Sequence, residues 1–193
     1  MNATVIITTF GVIFLAELGD KTQLTAMALA LRFPWQRIFV GIAAAFALLN
    51  LGAVLVGHLL HSAFSDHLNW IKLISAVLFF YFGVTTLMHG ADEQDEEVKV
   101  TAADAVRTAF LMILFAEFGD KTQLVTASLA AQYASPLSVF AGSTLALWSG
   151  SLMAIFLGRQ LVRYVPLRYI HRSAGVLFLL FGGGIAIQTL TRL

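Results

Sequence analysis

The sequence lacks cysteine and has few charged residues. Its 193 residues include no Cys and only 3 Pro, and 12% are charged whereas 59% are hydrophobic. Without cysteine, the chain has no disulfides, thiolate metal sites or cysteine nucleophiles. Soluble domains contain about 25% charged residues, so this composition, with a mean hydropathy of +0.83, excludes an ordinary soluble globular protein and indicates a polytopic membrane protein.

Several function classes lack support in the sequence. The net charge of +1 provides no bulk attraction to nucleic acid, so no nucleic-acid partner is predicted. Neither a nucleophile–base set nor a phosphate loop of the form G-x-x-x-x-G-K-[ST] occurs, so we expect neither an enzyme nor ATP-driven transport. The first apolar run has no basic segment before it and contains Glu17 and Asp20, so we expect a retained membrane helix rather than a cleaved signal.

Six apolar segments are long enough to cross a bilayer, which requires about 20 residues. The sequence therefore predicts an all-α integral membrane protein with six transmembrane helices. Pro34, Pro136 and Pro166 fall in the connections between segments, which supports the boundaries. The predicted spans are 4–29, 37–60, 69–89, 105–131, 137–158 and 170–190.

The chain contains an internal repeat. Residues 14–24 read FLAELGDKTQL and residues 114–124 read LFAEFGDKTQL, and weaker matches continue into the later spans. We expect two three-helix repeats, 1–90 and 105–193, joined by an acidic cytoplasmic linker at 91–104. Because each repeat has an odd number of spans, the second should be inverted relative to the first. Inverted repeats are typical of secondary transporters, whose binding site lies near the midplane between the repeats.

Basic residues predict the orientation, since Lys and Arg are enriched in cytoplasmic loops. The side that includes the linker carries most of them, so it should be cytoplasmic and both termini should lie outside. The acidic linker is expected to be solvated, with weak attraction of divalent cations as the alternative interpretation. The basic residues on the linker side are Arg32, Arg37, Lys99, Arg107, Arg159, Arg163, Arg168 and Arg172. Those on the opposite side are Lys72 and Arg192.

Charged residues inside spans 1 and 4 mark the candidate site. In each repeat Glu, Asp and Lys are spaced i, i+3 and i+4, which places them on one face of a continuous helix. A charge at the membrane centre costs at least about 2.5–3.5 kcal/mol, so two identical clusters favour a function over a purely structural ion pair. If all groups are ionised, the two motifs together carry a charge that one divalent cation or two protons would neutralise. These residues are Glu17, Asp20, Lys21, Glu117, Asp120 and Lys121.

The expected ligands are all oxygen atoms, which suit Mg²⁺, Ca²⁺ or Mn²⁺. The two motif lysines are interpreted as gating groups or counter-charges. Gly19 and Gly119, between the acids, allow either close backbone approach or an unwound helix. The predicted metal ligands are Glu17, Asp20, Glu117 and Asp120. Further ligands or neighbours of the ligands are Thr22, Gln23, Thr122, Gln123 and Asn50, the last with an interhelical hydrogen bond as the alternative.

The two E-x-G-D-K-T motifs, at 17–22 and 117–122, resemble the family of the Golgi manganese/calcium transporter, whose bacterial members include manganese exporters. The family pattern E-x-G-D-[KR]-[TS] is present twice without departure. This resemblance implies secondary export of Mn²⁺, with Ca²⁺ as the second candidate, driven by protons and without a resident cofactor. It also implies that the motif carboxylates form the cation site. The short N-terminus leads us to expect a bacterial inner-membrane protein.

Two other functions stay open from the sequence alone. One is an exporter of small solutes such as amino acids, in which the lysines would bind a substrate carboxylate, although four acids outweigh two bases. The other is a cation channel or a membrane scaffold without transport activity. The oligomeric state is not indicated by any feature of the sequence.

Overall fold

All regular secondary structure in the described part of the chain is α-helical. The computed structural model describes residues 1–18, 20–63, 68–89, 105–133, 135–164 and 167–191, so the predicted linker at 91–104 lies outside the described residues. These ranges contain eight helices and no β-strand. The helices are α1 (Ala3–Glu17), α2 (Lys21–Arg32), α3 (Trp35–Ala63), α4 (Leu68–His89), α5 (Ala105–Glu117), α6 (Lys121–Gln132), α7 (Pro136–Tyr164) and α8 (Leu167–Leu190).

The first segment of each repeat is interrupted, so the spans predicted at 4–29 and 105–131 are not single helices, and in the second motif the structure shows the unwound alternative. Each breaks inside the E-x-G-D-K-T motif, between α1 and α2 and again between α5 and α6. In the second motif, Gly119 has a φ of +81°, a left-handed conformation that only glycine adopts without strain. In the first motif, Leu18 leaves the helix with φ −67° and ψ 116°.

The break also corrects the predicted arrangement of the motif side chains. Glu17 is the last residue of α1, Asp20 directly precedes α2, and Lys21 is the first residue of α2. The spacing i, i+3, i+4 therefore does not place these three residues on one face of a single helix. The second motif is divided in the same way.

The other four segments follow the predicted spans closely. Pro34 lies just before α3, and Pro136 is the first residue of α7. At this position a backbone N–H would have no partner within the helix, so proline is tolerated there. Among the described residues, Trp35–Ala63 and Pro136–Phe156 are the stretches long and apolar enough to span a membrane. The interrupted segments fall short of that length because their helices contain only 15, 12, 13 and 12 residues. The six-span arrangement therefore stays a prediction.

The two halves pack into each other rather than side by side. Helix α1 packs on α7 and α5 packs on α3, while α2 contacts α7 and α6 contacts α3. Small residues allow the close approach: Gly41 of α3 lies against Ala109 of α5, and Gly142 of α7 lies against Thr9 of α1. Each contact thus has an equivalent in the other half: α1 on α7 corresponds to α5 on α3, and α2 on α7 corresponds to α6 on α3.

Helices α4 and α8 form the third contact between the halves. Phe79 and Phe178, which are equivalent in the repeat, are fully buried and contact each other with ring centroids 5.9 Å apart. Gly83 and Gly175 allow the two backbones to approach closely beside this pair. Residues that are equivalent in the sequence repeat therefore contact each other at this interface.

The glycine contacts lead to a stability prediction. A Cβ atom at Gly41 would lie 2.9 Å from the Cβ of Ala109 and closer still to the carbonyl oxygen of Val106. Gly41→Ala is therefore expected to destabilise the protein by about 1–3 kcal/mol, the range for overpacking. Thermal unfolding of the purified protein in detergent measures the effect as a lower Tm.

Gly52→Ala is the matched control on the same helix. A Cβ atom at Gly52 meets nothing within 4 Å, so the helix should gain about 0.5–1 kcal/mol from the better helix former. Equal Tm changes for the two variants would contradict the close contact between α3 and α5.

Candidate cation-binding site

Two aspartates precede the second helix of each interrupted segment. Asp20 and Asp120 occupy the N-cap positions of α2 and α6, where an Asp side chain usually accepts a hydrogen bond from the following backbone N–H groups. Neither side chain makes such a bond. Their backbone carbonyls accept instead, from the N–H groups of Gln23 at 3.0 Å and Gln123 at 3.1 Å. Neither carboxylate therefore caps its own helix.

Three carboxylates converge between the halves. One oxygen from each of Glu17, Asp20 and Asp120 lies within 4.8 Å of the others. Glu17 is 4% exposed and Asp20 is 5% exposed, and Asp120 is half-buried. Buried like charges at this separation repel one another and have lost their hydration, so the cluster requires positive charge to be stable. We refer to these three residues as the carboxylate cluster.

One atom of the cluster is unsatisfied. Oδ2 of Asp20 is buried and has no hydrogen-bond partner among the described residues. A buried polar oxygen without a partner is unfavourable by about 1–3 kcal/mol, and more when the group is charged. Such an atom fits a role as a cation ligand, because ligation supplies the interaction that the protein does not.

Threonine and glutamate side chains connect the two motifs reciprocally. Thr122 donates a hydrogen bond to Glu17, and Thr22 donates one to Glu117. All four residues are buried. The two motifs therefore face each other across the interface between the halves, as the repeat predicted.

The fourth predicted carboxylate occupies a different position. Glu117 is 3% exposed and lies across from Thr22, which follows Asp20 in the opposite motif. It is not part of the carboxylate cluster in the structure. Of the four predicted ligands, the fold thus brings three together and holds the fourth next to them by a hydrogen bond to the other half.

A lysine from the second motif neutralises part of the cluster. Nζ of Lys121 lies 3.9 Å from Oδ1 of Asp20, and the lysine side chain is 22% exposed. This ion pair crosses between the halves. The side chain of Lys21 lies outside the described residues.

The remaining candidates are sorted by their contacts. Asn50 is buried and its Nδ2 donates to Oγ1 of Thr144 at 3.2 Å, which supports the alternative of an interhelical hydrogen bond between α3 and α7. The amide nitrogen of Gln23 lies 2.9 Å from the point that a Cβ at Gly150 would occupy. Sequence reasoning missed Thr144 and Gly150, because neither belongs to a motif and both become neighbours of the candidates only through packing.

Helix ends add to the local electrostatics. Glu17 and Glu117 terminate α1 and α5, so the partial negative charge of two helix C-termini lies near the carboxylates. Interrupted helices in corresponding positions of two repeats are typical of the substrate and ion sites of secondary transporters. With oxygen donors only, the cluster has the chemistry of a site for a hard divalent cation.

Comparison with known families agrees with this class. The family profile described as "Divalent cation/proton antiporter GDT1" matches residues 5–94 and 105–192. The chain therefore belongs to the GDT1 family of divalent cation/proton antiporters, which confirms the resemblance inferred from the motifs. The first matched segment ends at residue 94 and the second begins at residue 105.

Several curated proteins are similar over most of the chain. Protein PAM71, chloroplastic, from Arabidopsis thaliana is 32% identical over 94% of this chain and 56% of its own length. GDT1-like protein 1, chloroplastic, from Oryza sativa subsp. indica is 31% identical over 93% of this chain and 60% of its own length. The chain thus spans little more than half of these two relatives.

A bacterial relative is covered more fully. The Vibrio cholerae protein named "Putative manganese exporter" is 33% identical over 86% of this chain and 82% of its own length. No solved structure matches the chain.

Proposed function

We propose that this chain is a secondary active transporter that exports a divalent cation in exchange for protons, with the cation bound between the two motifs near the membrane midplane. The carboxylate cluster carries the proposal, above all the buried and unpaired Oδ2 of Asp20. Mn²⁺ is the proposed substrate and Ca²⁺ the second candidate, since both accept carboxylate oxygens. The name of the Vibrio cholerae relative favours Mn²⁺.

The charge of the cluster fits one divalent cation. Three ionised carboxylates and the Lys121 ammonium give a formal charge of −2. One Mn²⁺, or two protons in its absence, would neutralise this charge. Glu117 would complete the shell by turning from Thr22 toward the cation. The four motif carboxylates and the two motif lysines, Lys21 and Lys121, again carry a formal charge of −2.

The interrupted helices support a six-span arrangement. Helix α1 has 15 residues, about 22 Å at 1.5 Å per residue, which is shorter than a hydrocarbon core of about 30 Å. We propose that α1 with α2, and α5 with α6, each cross the membrane as one broken span. Together with α3, α4, α7 and α8 this gives two inverted repeats, 1–90 and 105–193, joined by the linker at 91–104.

Labelling of single cysteines tests this topology in a bacterial inner membrane. The chain has no cysteine, so one introduced at Asn2 and one introduced at Gln94 each give an unambiguous signal. We expect an impermeant reagent outside the cell to label position 2 and not position 94, because basic residues are concentrated on the linker side. Labelling of position 94 from outside would contradict the proposed orientation.

Lys121 is proposed to act as a tethered counter-charge that competes with the substrate. An ammonium cannot ligate a metal ion, but it can occupy the carboxylates that do. Lys121→Met is therefore expected to leave Mn²⁺ binding intact or a few-fold tighter while transport becomes several-fold slower, because the cation is released less readily.

Calorimetric Mn²⁺ titration and transport assays of Lys121→Met check this expectation. Lys72→Met, in α4, controls for the loss of a lysine outside the motifs. If Lys121→Met weakened Mn²⁺ binding more than 10-fold, Lys121 would be a structural partner that holds Asp20 in place.

Reconstitution into liposomes tests the function directly. Under an imposed pH gradient, the purified protein should move Mn²⁺ with saturable kinetics and a coupled movement of protons. Ca²⁺ and Mg²⁺ as alternative substrates establish the order of preference. Flux that does not saturate and is independent of the pH gradient would indicate a channel, and absence of cation flux would support a small-solute exporter or a scaffold.

A further inference from the structure

Gln123 spans the break in the second motif with its side chain. Its Nε2 group donates to the carbonyl oxygen of Glu117 at 2.5 Å, and the N–H of Gly119 donates to its Oε1 at 3.4 Å. Gln123 is the third residue of α6, a position from which a Gln side chain can reach back to the backbone before the helix. The amide thus joins the end of α5 to the segment that leads into α6.

These contacts turn the Gln123 side chain toward the backbone of its own motif. Its amide oxygen accepts from the N–H of Gly119, and its amide nitrogen donates to the carbonyl of Glu117. That carbonyl also accepts from the N–H of Asp120 at 3.2 Å, so both of its lone pairs are used and it is not available to a cation. The charged groups that the second motif offers a cation are therefore the side chains of Glu117 and Asp120.

The break requires such a brace because its usual cap is missing. The Asp120 side chain makes no capping hydrogen bond, and Gly119, at φ +81°, is the residue with the greatest conformational freedom. A three-residue segment of this kind would sample many conformations without a fixed contact. Glu117 and Asp120 flank this segment, so its conformation determines the distance and direction between their carboxylates.

We propose that Gln123 is a positioning residue, which fixes the non-helical segment 118–120 so that Glu117 and Asp120 present their carboxylates to one cation. The effect of Gln123 on cation binding rests on the proposed function, whereas its two hydrogen bonds to the backbone form without any cation. Gln123 would then act on the cation through the backbone of the motif. The sequence had predicted it to be a ligand or a neighbour of the ligands.

Two substitutions distinguish positioning from ligation. Gln123→Glu retains an acceptor for Gly119 but replaces the donor to Glu117 with a negative charge that repels the carbonyl. Positioning predicts that Gln123→Glu and Gln123→Met each weaken Mn²⁺ binding about 10-fold, the equivalent of one lost hydrogen bond to a buried acceptor. A ligand at this position would instead bind equally well or more tightly as a carboxylate, so unweakened binding by Gln123→Glu would overturn the proposal.

The electron paramagnetic resonance of bound Mn²⁺ adds a readout that a loss of stability alone would not change. A displaced carboxylate alters the symmetry of the metal shell, so the zero-field splitting should change in both variants. Gln188→Ala is the control, since Gln188 is exposed on α8, and it should bind Mn²⁺ as the wild type does. An unchanged spectrum in the Gln123 variants would count against positioning.

Hydrogen exchange tests the brace independently of metal. In the cation-free protein, Gln123→Met should speed exchange of the Gly119 amide about 10-fold or more, because the amide loses its acceptor, while Gln188→Ala leaves it unchanged. Unchanged exchange at Gly119 would overturn the brace whatever the metal data show. If the wild type bound no divalent cation and Gly119 still exchanged faster in the variant, the proposed function would fail and the brace would stand.

Discussion

Asp20→Asn is expected to weaken Mn²⁺ binding by at least about 100-fold and to abolish transport. Asp20 contributes the unpaired buried oxygen of the carboxylate cluster and also pairs with Lys121. The substitution keeps the shape of the side chain but removes one negative charge from a desolvated site. Removal of one partner from a buried charge pair typically costs about 3–5 kcal/mol, and 100-fold in affinity corresponds to about 2.8 kcal/mol.

Calorimetric titration of purified protein with Mn²⁺ measures this effect. Glu93→Gln, which removes one carboxylate from the acidic segment of the sequence, is the matched control and should bind within about two-fold of the wild type. The same control tests whether the acidic segment attracts cations. If Asp20→Asn bound Mn²⁺ as well as the control, Asp20 would not be a ligand, and the cation would have to bind elsewhere.

Four of the helices and the facing motifs could be predicted from sequence because both depend on regular patterns. Hydropathy marks the segments that became α3, α4, α7 and α8, and the repeated motif implied that equivalent side chains would meet between the halves. Thr22 with Glu117, and Thr122 with Glu17, fulfil that expectation. The two contacts are equivalent in the two motifs, so the repeat in the sequence predicts both of them at once.

The sequence left the breaks as one of two roles for the motif glycines, because the side-chain pattern continues through them. Glu, Asp and Lys at i, i+3 and i+4 are equally compatible with an unbroken helix, and glycine in a membrane helix often serves only for close packing. The decisive feature is a backbone angle, the φ of +81° at Gly119, which the pattern of side chains does not specify. The same limit applies to Asn50, whose partner Thr144 lies in the other half.

The geometry also bears on the competing functions. A small-solute exporter would use a motif lysine to bind a substrate carboxylate, and of the two motif lysines Lys121 pairs with Asp20 across the halves. A scaffold would gain nothing from three carboxylates within 4.8 Å of each other, two of them buried, because their repulsion opposes folding. The proposed cation would offset this repulsion whenever it is bound.

Glu17→Gln and Glu117→Gln are each expected to impair transport severely and to be non-additive when combined. Alternating access by two repeats requires one half to move against the other around a shared site, and a shared site needs ligands from both halves. Glu17 belongs to the carboxylate cluster, whereas Glu117 is proposed to join it by leaving Thr22. Loss of either carboxylate breaks the same coordination shell, so the double variant should be little worse than each single variant.

Calorimetry of the wild type and the variants decides between one site and two. A shared site gives one Mn²⁺ per wild-type chain and strongly weakened binding in both single variants. Two independent sites, one in each half, would give two Mn²⁺ per chain, with one site surviving intact in each single variant. That second result would contradict the shared site, although the chain would still belong to a family of cation/proton antiporters, and each motif would then have to bind its cation within its own half.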